Sequence, residues 1–306
     1  MKLHRSCLLA LLCASRVAGA ALPAAAPAPP PLTVVTSFYP MYVATLNVVG
    51  GAAGVRVVNL APVTAGCAEG YALTPADLKL LVTADVLVVN GAGLEEYVGK
   101  AAAQCPRLHV VDASAGLTLL KADGEPNAHL WVSPTMAALQ ARAIAAQLAA
   151  LDPASARREI YAKNAEAYAQ RLETLAGQMR AGLMGAPSRR VIAFHDGLPY
   201  LARDLDLEVL AVVEPAPGQA PSAGQLANVV KLVRSAPGPV AFLTEKNVPS
   251  PAAEALSREL GVPCYPFDLG TNGPLEPAAA RDVAIQTAEA NLATLRAALG
   301  VPGVKK

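Results

Sequence analysis

Charge imbalance is almost absent from this chain: 25 basic residues face 24 acidic ones over 306 residues, a formal charge of +1. No long-range field gathers polyanions or anionic lipid, so nucleic acid is excluded as a charge-driven partner. Aromatic residues are scarce at 4%, while hydrophobic residues make up 53%, mostly Ala, Val and Leu. That balance points to the aliphatic interior of a layered α/β protein. Beyond the N-terminus no apolar run approaches the about 20 residues of a transmembrane helix. Neither a His-Glu-x-x-His helix nor a Gly-x-Ser-x-Gly elbow occurs, which removes the usual signatures of a zinc peptidase or a serine hydrolase. Histidine is rare as well: His4, His109, His129 and His195 are all there are.

The first 20 residues carry Lys2 and Arg5, an apolar run from Cys7 to Ala14, and small residues at Ala18 and Ala20. This is the pattern of a secretory signal peptide, and it predicts a periplasmic protein. Leu12 before Cys13 is too large for lipid attachment there, so a soluble exported form is expected. Residues 21–32 are almost wholly Ala and Pro and read as an extended spacer. The mature part keeps Cys67, Cys105 and Cys264 in a compartment that permits disulfides. One pair and one leftover is the arithmetic, and Cys67 with Cys105 is the expected pair because both flank strands of the first lobe.

A chain of this length suits two cores rather than one. From residue 33 short β-branched runs alternate with helical stretches, the mark of βαβ units on a parallel sheet. Strands are predicted at Leu32–Thr36, Val55–Leu60, Val86–Asn90 and Leu108–Val111, with helices at Tyr39–Val49, Thr74–Thr83 and Leu94–Gln104. Asp152-Pro153 opens the longest helical pattern, reaching about Leu183 with Tyr161, Tyr168 and Leu175 seven apart on one apolar stripe. At ~1.5 Å per residue it is on the order of 45 Å long, more than one lobe needs. The second half repeats the pattern, with strands at Val191–Phe194, Val209–Val213, Val240–Thr244 and Cys264–Phe267. Its helices are predicted at Leu198–Asp204, Ser222–Ser235, Pro251–Leu260 and Pro277–Leu299. The resulting α/β architecture has an N-terminal lobe over 33–151, a connecting helix over 152–185 and a C-terminal lobe over 186–306.

Three residues stand where such a fold binds ligands, outside the carboxyl ends of its strands. His195 and Asp268 each follow a strand of the second lobe directly, and His129 follows a Gly- and Pro-containing loop of the first. Across a cleft they would form a nitrogen and oxygen site for a metal ion. His109 lies in a strand that reads as buried, and Asp196 is placed to cap the next helix. Glu214 and Glu245 also follow strands and are candidates to hydrogen-bond a ligating imidazole.

Four segments carry a family resemblance: Val35-Thr-Ser-Phe-Tyr-Pro40, His129-Leu-Trp-Val-Ser-Pro134, Phe194-His-Asp-Gly-Leu-Pro-Tyr200 and the stretch from Glu245 to Asp268. Together they resemble the solute-binding proteins of zinc and manganese ABC importers, over about residues 33–300. The resemblance implies two parallel-sheet lobes joined by one long rigid helix, a divalent ion in the interlobe cleft and no enzymatic activity. It further implies an ABC permease as partner, and the chain is expected to act as a monomer. It implies His129, His195 and Asp268 as metal ligands. Histidine at 195 favours zinc, since relatives that carry manganese commonly have glutamate there; manganese is the second candidate. The family's usual first histidine is missing from Gly66-Cys-Ala-Glu-Gly-Tyr71, where its place falls on Glu69 or Gly70. Glu69 would supply an oxygen ligand, and Gly70 would leave the position to water. The loop Lys121–Ala128 also lacks the His-rich insertion of many zinc binders. Two alternatives stay open: a degraded site that binds another ligand or serves adhesion, and a secreted zinc hydrolase with Glu69 as general base.

Overall fold

Two parallel sheets form because the β-branched runs alternate faces. The computed structural model of the chain describes residues 30–122, 124–214 and 220–302. The proposed signal peptide and most of the proposed spacer lie outside them. In the first sheet β1 (Leu32–Thr36), β2 (Val55–Asn59), β3 (Val86–Val89) and β4 (His109–Asp112) run in the order β2-β1-β3-β4, all parallel. Val34, Val86, Val88 and Val111 enter one core, while Val35, Leu87 and Val89 face a second core on the other side. This is the period-2 alternation of a sheet covered on both faces. Helices α1 (Tyr39–Val49), α2 (Pro75–Val82) and α3 (Val98–Gln104) connect the strands. Thr74 caps α2 through a reciprocal box with Asp77, and Pro75 follows it at the first helical position, as expected.

A short hairpin, β5 (Lys121–Ala122) with β6 (Glu125–Pro126), precedes α4 (Pro134–Leu151). Helix α4 is an addition to the predicted elements. Its start is marked by Ser133, whose hydroxyl accepts from Met136 N–H at 3.1 Å, and by Pro134. Its body is so rich in Ala and Leu that no polar face contrasts with the buried one.

The long helix is present as α5 (Ser155–Gly182), 28 residues, about 42 Å at ~1.5 Å per residue. Its Tyr161, Ala165, Tyr168, Ala169 and Leu172 belong to the first lobe's core, and Leu175 and Met179 to the second's. The second sheet holds β7 (Arg190–Ala193), β8 (Glu208–Val212), β9 (Val240–Glu245) and β10 (Cys264–Phe267) in the order β10-β9-β7-β8. Read from the other edge, this is the strand order of the first lobe. Helices α6 (Pro199–Asp204), α7 (Ala223–Ser235), α8 (Pro251–Leu260), α9 (Pro277–Ala280) and α10 (Val283–Ala298) complete the lobe, the last two where one helix was expected.

Two expectations are corrected. Cys67, Cys105 and Cys264 are all free thiols. Cys67 packs in the core on one face of the first sheet and Cys105 in the core on the other, so the sheet itself separates the pair. His109 is exposed rather than buried, because β4 is an edge strand and its first residue faces solvent.

Candidate metal centre

His129 sits in a loop fixed from both sides. Asn127 Oδ1 accepts the His129 N–H at 3.0 Å, and Asn90, just past β3, donates from Nδ2 to the Ala128 carbonyl at 2.9 Å. Asn90 is in turn held by Gln140 of α4 at 2.9 Å. A 3-10 turn over Leu130–Val132 follows and sends Trp131 across to the second lobe, where its indole N–H meets the Leu269 carbonyl at 2.8 Å.

His195 follows β7, the first strand of the second lobe, at the point where the strand order reverses between β7 and β9. Gly197 is needed beside it: a Cβ there would lie 2.8 Å from Leu269 Cδ2 and 3.0 Å from His195 Cδ2. Glu245 closes β9, with its Oε2 3.8 Å from His195 Nδ1, beyond hydrogen-bonding range.

Across the cleft His129 Nε2 and His195 Nε2 are 3.0 Å apart, their rings nearly perpendicular at 89°. Both residues are buried, 2% and 5% exposed, and neither Nδ1 has a hydrogen-bond partner among the described residues. Burial first, then the neighbouring His195, pushes the His129 pKa down to about 3; burial pushes that of His195 down to about 4. Both rings are therefore neutral at pH 7 and keep lone pairs for a cation. Burial, reinforced by the charges of Asp268 and Glu69, pushes the Glu245 carboxyl up to about 7. Three carboxyl groups thus act on one another at Glu245, beside the neutral His195 ring, an arrangement that a bound cation would relieve.

The other predicted residues are placed less simply. Asp268 directly follows β10, with both backbone polar groups clamped by Asn291 of α10 at 3.0 and 2.7 Å. Its carboxylate accepts from Lys246 Nζ at 3.0 Å and from Gly270 N–H at 2.8 Å. Glu69 is exposed in its loop, its carboxyl raised by partial desolvation and by Asp196. Asp196 does not cap α6, whose N-cap is Leu198; its carboxylate accepts from Asn127 Nδ2 at 2.8 Å and so joins the lobes. Glu214 accepts from Ser250 Oγ at 2.6 Å, away from either imidazole.

One residue of the centre was missed by sequence reasoning. Cys67 Sγ lies 3.7 Å from His129 Nε2, and Cys67, His129 and His195 together place their donor atoms within 4.8 Å of one another. Among the described residues this trio forms such a group, and neither Asp268 nor Glu69 is part of it. The available signal was position, since Cys67 stands two residues before Glu69 in the loop that lacks the expected histidine.

Known proteins resemble this chain in sequence and fold. The family described as "Zinc-uptake complex component A periplasmic" matches residues 34–298. The high-affinity zinc uptake system protein ZnuA of Bacillus subtilis (strain 168) is 28% identical over 247 residues, 75% of this chain and 76% of that protein. The solved structure of the SBP FpvC from Pseudomonas aeruginosa in complex with Mn2+ has a TM-score of 0.78 at 32% identity, covering 89% of this chain and 100% of that one. FpvC has also been solved with Ni2+. The laminin-binding protein Lmb of Streptococcus agalactiae, described as bifunctional with adhesin and metal transporting activity, has a TM-score of 0.76 at 26% identity, covering 88% of this chain and 99% of that one.

Proposed function

The chain belongs to the zinc-uptake complex component A family, and from that premise we propose that it is an exported, periplasmic solute-binding protein that captures a divalent transition metal ion between its lobes. It delivers that ion, as a monomer, to the permease of an ABC importer. The observation that carries this reading is the pair of buried, neutral imidazoles, one from each lobe, with their Nε2 atoms 3.0 Å apart. The Nδ1 atom of each ring is buried without a hydrogen-bond partner among the described residues, which is costly, and the pair suits an ion that takes nitrogen ligands. Zinc is favoured on that ground over manganese, which prefers oxygen.

His129 and His195 are the central ligands. Asp268 is the carboxylate of the second lobe that would join them, exchanging Lys246 for the ion, and Glu69 is a second carboxylate at the cleft mouth. The converging donors speak against a degraded site. The protein's work is capture and release, with no bond made or broken in a substrate. Among the described residues no helix is long and apolar enough to cross a membrane.

Trp131, the single tryptophan of the chain, has its indole ring 5.1 Å from the His129 ring and reports on the site. Chelator-stripped protein is titrated with zinc and with manganese while its fluorescence is followed. Saturation at one zinc per chain, with zinc bound more tightly than manganese, is expected. His129→Ala should weaken zinc binding by more than the roughly 10- to 100-fold that loss of an outer-shell partner causes. Failure of the wild-type protein to bind any ion stoichiometrically would refute the reading.

A further inference from the structure

We propose that the Cys67 thiolate is a direct ligand of the transported ion, completing a Cys-His-His set that selects thiophilic cargo, zinc above all, and rejects manganese. This deepens the reading of the same site and rests on it. The loop geometry explains how a cysteine gets there. Gly66, at φ +67°, turns the chain inward after a 3-10 turn over Val63–Ala65, so that Cys67 and Ala68 enter the first lobe's core. Gly70, at φ +69°, turns it out again, leaving Glu69 exposed. The side chain that the loop delivers to the two imidazoles is therefore the sulfur.

Two of the three donor separations lie close to those of a tetrahedral ion. With bonds of about 2.0–2.1 Å to nitrogen and about 2.3 Å to sulfur, tetrahedral angles put two nitrogens about 3.3–3.4 Å apart and nitrogen and sulfur about 3.5–3.6 Å apart. The observed separations are 3.0 Å for His129 to His195 and 3.7 Å for Cys67 to His129. On binding, the first would widen and the second close by a few tenths of an ångström, and the Cys67 and His195 donor atoms lie within 4.8 Å of each other. Glu245 offers a second sign of a site that expects a cation. Its side chain is only 9% exposed, yet its Oε2 faces His195 without a hydrogen-bond partner among the described residues. When His195 Nε2 binds the ion, the ring proton must sit on Nδ1, toward that oxygen.

The ligation step balances simply. The S–H bond of Cys67 breaks, the sulfur lone pair forms the bond to zinc, and the proton leaves to solvent, with no change of oxidation state. Thiolate ligands favour zinc over the hard, oxygen-seeking manganese ion. Exchange of sulfur for oxygen should therefore weaken zinc and leave manganese almost unaffected.

The test is zinc-edge X-ray absorption on the zinc-loaded full chain, with affinities for zinc and manganese measured alongside. The expected spectrum contains one sulfur scatterer at about 2.3 Å. Cys67→Ser should lose it and weaken zinc binding by more than the roughly 10- to 100-fold that loss of an outer-shell partner causes, with manganese affinity altered less than about threefold. Stoichiometric zinc with only nitrogen and oxygen neighbours overturns this inference and leaves the proposed function standing. Absence of stoichiometric zinc binding overturns both. If Cys67→Ser does not fold, the protein with Cys7, Cys13, Cys105 and Cys264 all replaced by serine decides: a retained sulfur scatterer supports Cys67, and a lost one overturns the assignment.

Discussion

Replacing Arg157 with methionine tests whether the junction that starts the long helix is held by charge. Arg157 is 2% exposed, and its Nε and Nη2 each donate to the Asp152 carboxylate at 2.7 Å, a bidentate fork. Tyr161 O–H at 2.7 Å and Ala154 N–H at 2.9 Å complete the carboxylate's partners. Arg157 Nη1 also reaches the Pro30 carbonyl at 2.7 Å, tying α5 to the chain just before β1. Burial by itself would raise the Asp152 pKa, but Arg157, Ala154 and Tyr161 together more than offset it and hold the carboxyl below its usual range. Methionine keeps the packing volume and removes the cation, stranding a buried carboxylate, which costs about 3–5 kcal/mol. For a chain of this size unfolding as one unit, each kcal/mol moves the thermal midpoint by about 2 °C, so a drop of roughly 6–10 °C is expected by calorimetry. The stranded carboxyl has a raised pKa in the fold. Its protonated form gives stability below the ordinary range that is lost as pH rises, so the gap to wild type should widen from pH 4 to pH 7. Adding Asp152→Asn should restore part of the loss, because the amide oxygen can still accept from Ala154 N–H while its NH2 group donates to the Tyr161 oxygen, with no buried charge. A midpoint within about 2 °C of wild type at pH 7, or a double variant that falls by the sum of both losses, would show that charge pairing does not hold this junction.

Three further outcomes bear on the site. The Glu245 carboxyl is raised in the fold to about 7, so its contribution to stability is present below the ordinary carboxylate range and lost as pH rises through about 7. The midpoint of metal-free Glu245→Gln, relative to wild type, should accordingly climb between pH 5 and pH 8; a flat difference would contradict the burial argument. Lys246 holds Asp268 at 3.0 Å with both side chains partly exposed, a pairing worth less than about 1 kcal/mol. Lys246→Met should tighten zinc by roughly two- to fivefold in a chelator competition, and unchanged or weaker binding would remove Asp268 from the ligand set. Gly197→Ala forces a methyl against Leu269 and His195. Overpacking by about 1–3 kcal/mol and weaker zinc binding should appear together, and wild-type affinity would mean that His195 does not need that close approach.

Most of the architecture was legible because it depends on alternation. Val34 and Val35 enter opposite cores, as do Val191 and Ile192, and such β-branched runs announce strands covered on both faces. The long helix was legible through Tyr161, Tyr168 and Leu175, all of which are buried along one face. Helix α4 was not, since a segment of Ala, Leu and Ile gives no polar contrast and only Ser133-Pro134 signalled its start. Contact across the sheet was also invisible in sequence. Cys67 and Cys105 both flank strands, but nothing local says that one lies above the sheet and the other below.

The centre divides in the same way. His129 and His195 could be placed because each sits at a recognisable place, one past a loop closed by Asn127 and one past a strand at a reversal of strand order. Asp268 could be placed beside a strand end, but not its engagement with Lys246, because residues 22 apart in sequence meet only through the pairing of β9 and β10. The sequence left the missing histidine's place to Glu69 or Gly70 and did not point to Cys67, because the direction of this loop depends on two glycines. In a loop with φ positive at Gly66 and Gly70, Cys67 and Ala68 turn into the core and Glu69 to solvent, a pattern that no periodicity describes. Reading Glu69 as a ligand follows the chemistry of its side chain; the direction of the loop, which the sequence does not display, brings the Cys67 sulfur within 3.7 Å of His129 Nε2.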